Sequence, residues 1–454
     1  MKQKIVIIGG VAAGPKITAK LLRTKDFDCQ IDLYTEENLI SYSSCGLPYY
    51  IEGLIHDSNR LIVRRPEQFE EQGANIHLNK RCTKILPKEH KIIIQDTITG
   101  EIQEVEYDKL AITTGARPII PSIKGINLKN IFSIRTLQDG INIRQKMLES
   151  KKAVILGGGY IGIELLEAFH ANNIFTTMIE REDHILSLLD PEISDLVKEE
   201  ILAIAKDNVD IITSDAITAF EGTDKVEKVI TKSGKVIETD MVIIAAGIRP
   251  NTEIAAEAGI ELGVSNAIRV NNRMQTCTKD IYAAGDCTEN FHLVSKNYAW
   301  IPLGSTANKE GRCAAINMAG QYDAFPGVLG SAVTRFGNLT ISLTGLTETE
   351  ARKFGFDVIC ATMTKKDKAG YMPDAANITI KLVVDKRFKK ILGAQAFGGG
   401  DADKRVNTVA SAIQAEQTLD EFLHLDMTYA PPFSTAVDPL ISAALIINNK
   451  IYKN

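Results

Sequence analysis

Apolar positions in this chain gather into short continuous runs separated by glycine-rich turns. The run KIVIIGG at residues 4–10 is β-branched, ends in glycines and gives way to helical spacing at GPKITAKLLRT, which predicts strand, tight turn and helix. The same order recurs at KKAVILGGGYIGIELLEAF, residues 151–169. A second matched pair, YDKLAITTGARP at 107–118 and TDMVIIAAGIRP at 239–250, reads aspartate, apolar strand, then Gly-x-Arg-Pro. Each member follows its own glycine turn at long range, so the pattern predicts two related nucleotide-binding domains in one chain. After residue 325 the strands ITIKLVVD and ILGAQAF alternate with the helical stretch DKRVNTVASAIQA, and no phosphate loop occurs, which predicts a third, mixed α+β domain.

The length of 454 residues suits about three units. A net charge of -5 without a long Lys/Arg block leaves no electrostatic footprint for nucleic acid. The N-terminal apolar run leads into glycines, not into a signal-peptide core, and no uncharged apolar stretch is long enough to cross a membrane, so a soluble, cytoplasmic protein is expected. Seven cysteines (29, 45, 82, 277, 287, 313, 360) are scattered without a CxxC pair or histidine cluster, which argues against a disulfide scaffold and a zinc site.

In the second copy Gly157, Gly159 and Gly162 complete G-x-G-x-x-G around Tyr160 and Ile161, and Glu180 closes the next strand, TTMIE. The glycines permit a tight turn, close approach of a pyrophosphate and close helix packing, while the acid accepts from a ribose 2′-hydroxyl. The first copy keeps Gly9 and Gly14 but places Val11 in the middle, and its strand CQIDLYTEE ends at Thr35, Glu36 and Glu37, where a ribose acid is expected. Asp286, at the end of the strand in KDIYAAGDCTEN, is either a ligand contact or a cap for a following helix.

In their order, GGVAAG, ISYSSCGLPYY, TTGARP, RTLQDG, GGGYIG, AAGIRPNT, IYAAGDC and YAPPFS resemble the pyridine nucleotide-disulfide oxidoreductase superfamily from residue 4 to about residue 445. The resemblance implies two Rossmann-like domains and a C-terminal α+β dimerisation domain. The expected boundaries are 1–118 and 249–325 for the two parts of an FAD domain, 119–248 for an NAD(P)H domain and 326–454 for the dimerisation domain. It also implies FAD contacts at Gly9, Gly14, Glu36, Thr114, Gly115, Arg135 and Asp286. Gly157, Gly159, Ile161, Gly162, Glu180 and Gly247 would meet the nicotinamide dinucleotide, with Tyr160 as a ring that moves aside for hydride. Glu180 favours NADH because a carboxylate repels the 2′-phosphate of NADPH, and Arg181 beside it leaves NADPH open.

Dithiol members of that superfamily carry CxxxxC, but Ile40 and Tyr50 stand five positions from Cys45. Cys45 therefore has to cycle against a substrate thiol, a persulfide or as a sulfenic acid. Pro48 suits a first helical turn, which would set Cys45 near a helix N-terminus that favours a thiolate. The single-cysteine pattern Ser41-x-x-x-Cys45-Gly46, with Ser44 adjacent, resembles the branch of CoA-disulfide reductases, NADH oxidases and peroxidases, and persulfide reductases. Ala12 stands where peroxidases and many oxidases carry a histidine. Tyr371 in AGYMP and Tyr429 in TYAPPFS match tyrosines that reach the partner subunit's active site in the sulfur reductases.

Lys16, Lys20 and Arg23 share one helix face, either for CoA phosphates or simply solvated, and Asn308 is a further candidate near the thiol. Gly73 and Val437 stand where some CoA-disulfide reductases have basic residues, and the chain ends at Asn454 without the rhodanese-like domain some relatives append. The expectation is a homodimeric FAD enzyme passing electrons from NAD(P)H through Cys45 to a disulfide, persulfide or polysulfide, CoA disulfide among them. An NADH oxidase working through a Cys45 sulfenic acid and an electron-transfer module docking a carrier protein stand as alternatives.

Overall fold

A computed structural model describes residues 2–452. The chain opens with β1 (Gln3–Ile8), α1 (Ala13–Leu22), β2 (Cys29–Tyr34), the short helix α2 (Leu47–Glu52), β3 (Ala74–His77) and β4 (Lys109–Ile112). A crossing strand, β5 (Ala116–Pro118), leads into a second unit: β6 (Ile131–Ser133), β7 (Lys152–Leu156), α3 (Tyr160–Ala171), β8 (Phe175–Ile179), α4 (Pro191–Ala205), β9 (Val209–Ile212) and β10 (Met241–Ile244). The return strand β11 (Ile248–Pro250) brings the chain back, β12 (Ile281–Ala283) completes the first sheet, and α5 (Gly304–Met318) follows.

The first sheet runs β12-β4-β1-β2-β3 and the second β9-β8-β7-β10-β6, parallel throughout. Helices cover such sheets, so their strands are apolar on both faces: Ile5, Val6 and Ile7 in β1 and Val242 and Ile243 in β10 have no exposed surface.

The two Gly-x-Arg-Pro repeats are not merely copies. They pair with each other, β5 antiparallel to β11, with Arg117 opposite Arg249. Asn251 locks this crossing: its amide donates to the Gly115 carbonyl at 2.9 Å, its side chain to the Thr114 carbonyl at 2.9 Å, and Arg117 pairs with Glu253.

The third unit contains β13 (Ala332–Phe336), β14 (Leu339–Gly345), α6 (Glu348–Lys353), β15 (Val358–Lys366), β16 (Asn377–Asp385), β17 (Ile391–Gly398), α7 (Ala402–Gln414) and α8 (Pro439–Tyr452). Its antiparallel sheet, β13-β14-β17-β16-β15, packs Ile378, Ile380 and Leu382 against Val406 and Val409 of α7 and Leu440 and Ala444 of α8. Arg335 on β13 ties this unit to the other two, reaching Glu52 of α2 at 3.2 Å and Glu167 of α3 at 3.2 Å. Among the described residues no helix is long and apolar enough to cross a membrane.

Candidate active site

Both parallel sheets end in the same turn. Gly9 and Gly157 sit at φ +108° and +109°, and an added Cβ would lie 2.1 Å from the Thr113 carbonyl oxygen or 2.3 Å from that of Ala245. Gly14 and Gly162 bring each helix onto its turn, since a Cβ would lie 2.0 Å from the Gly9 carbonyl oxygen and 2.1 Å from that of Gly157. These four positions need glycine for the fold itself. Gly159 differs, because nothing lies within 4 Å of the place a Cβ would take. Its counterpart Val11 therefore fits without strain, which explains how the first copy dispenses with a middle glycine.

The acid positions diverge. Glu180 accepts from the Gly158 amide at 2.6 Å and the Glu182 amide at 2.9 Å, held against its loop. In the first domain the equivalent place belongs to Thr35: a Cβ on Gly10 would sit 3.0 Å from the Thr35 Cβ, as one on Gly158 would sit 3.3 Å from the Glu180 Cβ. Glu36, expected at the ribose, points outward and pairs with Arg81 at 2.6 Å. Consecutive residues leaving a strand face opposite ways, so Thr35, one position before Glu36, takes the place that Glu180 holds in the second domain. Glu37 turns inward and accepts from the Tyr42 hydroxyl at 2.7 Å, with burial raising its pKa above the ordinary carboxylate value.

Cys45 lies in a single 3-10 turn, Ser44–Gly46, directly before α2 with Pro48 in its first turn, as the sequence predicts. Its Sγ also faces the start of α5, where a Cβ on Gly304 would lie 3.7 Å away. The residue is exposed, yet its thiol is partly buried, in a cleft where Glu164, Asp286 and Arg135 are near enough to act on its charge. The thiolate expected from the helix N-terminus meets opposition: burial, then Glu164 and Asp286, push the thiol up, while the Ser44 hydrogen bond and Arg135 pull it down less. Arg135 stands 3.4 Å from Asp286, and Gly115, at φ +66°, leaves it room: a Cβ there would lie 2.8 Å from the guanidinium. No helix begins directly after Asp286, so its reading as a helix cap falls.

Other predicted residues are spread around this cleft and beyond it. Asn308 donates back to the Gly304 carbonyl at 2.9 Å within the first turn of α5. Ser41 is buried at φ +51° with its amide on the Gly10 carbonyl, so it shapes the loop instead of offering a surface contact. The Thr114 hydroxyl is committed to the Asn251 carbonyl, and Gly247, at φ +99°, lies at the crossing with its carbonyl accepting from the Ile119 amide. Lys16 and Lys20 lie on α1 and Arg23 at its C-terminal end, and none enters an ion pair among the described residues. Tyr371 and Tyr429 are 76% and 54% exposed on two loops of the third unit, joined by the Ala369 amide and Pro431 carbonyl. Buried Arg405 holds both loop bases, donating to the Asp367 carbonyl and pairing with Asp438.

Residues 3–311 match the pyridine nucleotide-disulphide oxidoreductase family, and residues 331–441 match that family's dimerisation domain. The chain belongs to this family. It is 37% identical over 451 residues to an NAD(P)H coenzyme A polysulfide/persulfide reductase of Pyrococcus horikoshii, covering 98% of this chain and 99% of that one. An NADH oxidase of Methanocaldococcus jannaschii is 34% identical over 445 residues, 97% of this chain and 98% of the other. Among solved structures, an NAD-dependent persulfide reductase from A. fulgidus superposes with a TM-score of 0.95 at 34% identity, covering 99% of this chain and 84% of that one.

As a pyridine nucleotide-disulphide oxidoreductase, the chain is an enzyme that works with FAD and NAD(P)H. Both cradles fit dinucleotides: the forced glycines bring backbone close, and α1 and α3 begin without a side-chain cap, leaving amides for phosphates. Two carboxylates escaped the sequence reading. Glu310 on α5 is buried and accepts from the Gly285 amide at 2.7 Å and the Asn290 side chain at 2.6 Å, which holds the Ala-Gly-Asp loop; burial raises it to about 8. Glu164 on α3 is raised to about 7 by burial and by Glu167. Their signal was visible as charges within small-residue and apolar helices, GSTANKEGRCAAIN and YIGIELLEAF.

Proposed function

We propose that this enzyme reduces the sulfur–sulfur bond of small disulfides, persulfides or polysulfides, with Cys45 as the group that bonds substrate sulfur. The observation that carries this reading is the isolation of Cys45: it is an exposed, unpaired thiol between two helix N-termini and the acidic cleft wall, with no resolving cysteine five positions to either side. The thiolate attacks one substrate sulfur, a Cys45–substrate disulfide forms, and the other sulfur leaves as a thiolate that takes up a proton. Reducing that mixed disulfide takes two electrons, which FAD would supply when bound, drawing them as hydride from NAD(P)H. One further proton then accompanies release of the second thiol and returns Cys45 to its starting state.

This chain's residues control charge and protons around that exchange. Arg135 opposes the carboxylates near the thiol, and Glu164, raised to about 7, holds a proton near neutrality. Tyr371 and Tyr429, exposed on the dimerisation domain, reach the partner's cleft in a homodimer and protonate the leaving sulfur. Glu180, pinned at its loop, selects NADH. Lys16, Lys20 and Arg23, in no ion pair among the described residues, support CoA as the carrier of the sulfur, through its phosphates. Gly9, Gly14, Arg135 and Asp286 hold FAD, with Thr35 in place of Glu36 at the ribose.

An NADH oxidase is the second reading, favoured by the similarity to the M. jannaschii oxidase and opposed by Ala12 in the first loop. Anaerobic reduction by NADH, then reoxidation by CoA disulfide, polysulfide, peroxide or oxygen in parallel, separates the two. Fast reoxidation by a sulfur acceptor is expected, and Cys45→Ser should slow it at least about a hundredfold while leaving flavin reduction by NADH intact. Equal, slow reoxidation by every acceptor sinks the sulfur reading.

A further inference from the structure

Among the described residues one lysine is buried, Lys381 on β16 of the dimerisation domain, 2% exposed. Its ammonium lies 2.9 Å from Asp190 and 2.8 Å from Glu348 and also pairs with Glu192. Two of these carboxylates, Asp190 and Glu192, come from the dinucleotide-binding unit, and Glu348 comes from the dimerisation domain. Asp190, 1% exposed, directly precedes α4 but makes no side-chain hydrogen bond to that helix. It caps the neighbouring domain instead, accepting from the Glu348 and Thr349 amides at 3.0 Å each and from the Thr349 hydroxyl at 2.7 Å. Gln395 of β17 closes the contact from both sides, accepting from the Asp190 amide at 2.7 Å and donating to its carboxylate at 2.6 Å.

The segment leading to Asp190 starts at the dinucleotide loop. Glu180 holds the Gly158 amide, and six residues later the Leu186 amide donates to the Gly158 carbonyl at 2.8 Å. Ile185 packs where a Cβ on Gly158 would lie 3.0 Å away. Residues 181–189 are thus stretched between the phosphate turn at one end and another domain's buried cation at the other. Three carboxylates gathered without that cation would repel one another and release the end of the segment.

We infer that Lys381 is a positioning residue for the dinucleotide site, acting through Asp190 to keep Glu180 and Ile185 seated against Gly158. The inference rests on the reading that Glu180 contacts the dinucleotide. It makes dinucleotide affinity depend on docking of the dimerisation domain, and linkage requires the dinucleotide to strengthen that docking in return.

The test uses the FAD-loaded enzyme. NAD⁺ binding is measured by calorimetry, and the dissociation constant and limiting rate of flavin reduction by NADH are taken from anaerobic rapid mixing. Lys381→Met should weaken both dinucleotides about tenfold, a typical coupling between sites, while the limiting rate and FAD content change less than about twofold. Lys381→Arg should restore most of the affinity, and Thr349→Val, which removes one hydrogen bond to Asp190, should cost about twofold in the same direction even if Lys381→Met does not fold. A drop in thermal midpoint with unchanged affinity in Lys381→Met or Thr349→Val overturns the inference. Glu180→Gln measured alongside separates the failures: weakened binding there with none in the latch variants overturns the latch alone, and unchanged binding in all of them overturns both readings.

Discussion

From the residue that follows β2 in one dinucleotide-binding half and β8 in the other, ten positions lead to Cys45 and to Asp190 respectively. The path between is the same. Thr35 and Glu180 occupy equivalent places, Ser41 and Leu186 both take the left-handed conformation at φ +51° and +46°, and their amides donate to Gly10 and Gly158 at 2.7 and 2.8 Å. A proline then enters the first turn of each following helix. What differs is the surroundings of the tenth residue. At Cys45 burial and then the carboxylates of Glu164 and Asp286 raise the thiol pKa, whereas Asp190 is enclosed by donors from another domain. Glycine geometry sets the loop, and the neighbours that the loop end meets decide whether it does chemistry or joins domains.

The largest effect expected on stability lies at Asp190. Burial alone would raise its pKa, but hydrogen bonds from Lys381, the Thr349 amide and hydroxyl, and Gln395 outweigh burial and hold it at about 2 against an ordinary 3.8. A carboxyl lowered on folding contributes stability that is complete above 3.8 and lost as pH falls through 3.8 toward 2, here on the order of 2 kcal/mol. The charged groups facing it are Lys381, Glu192 and Glu348, with Arg352 paired to Glu348 behind them. Denaturant unfolding at stepped acid pH should show Asp190→Asn less stable than the parent above about pH 4, with the two curves converging below it. Parallel curves across that window would mean the carboxylate is not held by the latch.

The middle of the glycine loops gives the next effect. Gly159→Val should leave the unfolding midpoint nearly unchanged, since no atom lies within 4 Å of the new Cβ, yet weaken NAD⁺ about tenfold by standing where the pyrophosphate approaches. The reverse change, Val11→Gly, should cost only about 1 kcal/mol of stability through backbone freedom and leave FAD in place. A Gly159→Val protein that unfolds early but binds normally would show that this glycine serves the fold, as Gly157 and Gly162 do.

Much of this was legible in the chain itself. Apolar runs closed by glycines specify both parallel sheets, because burial on two faces favours apolar side chains at successive positions, and SYSSCGLPYY placed Cys45 before a helix. Pairing across 132 positions was not legible: nothing local in GARP or GIRP says that Arg117 lies opposite Arg249. Thr35 took the place expected for Glu36 because the exact last residue of a strand decides which side chain turns inward. The latch left a trace, a lysine inside the run ITIKLVVD, every residue of which is buried; its three carboxylates come from positions 190, 192 and 348, which only the tertiary fold unites.

The smallest effect concerns the other loop end, and it tests whether the cleft wall sets the reactivity of Cys45. Burial and then Glu167 raise Glu164 to about 7 from an ordinary 4.5, so it carries a proton below that pH and a negative charge above it. The charge raises the Cys45 thiol in turn, second only to burial among the causes. Removing it with Glu164→Gln should therefore lower the thiol pKa, and at about pH 8 alkylation of Cys45 in reduced, thiol-free enzyme should speed up about threefold. At about pH 6 parent and variant should react alike, because Glu164 is already neutral in the parent. A uniform acceleration at both pH values would point to a packing change around Cys45, and equal rates at both would remove Glu164 from the electrostatics of the thiol, leaving burial and Asp286 to hold it high.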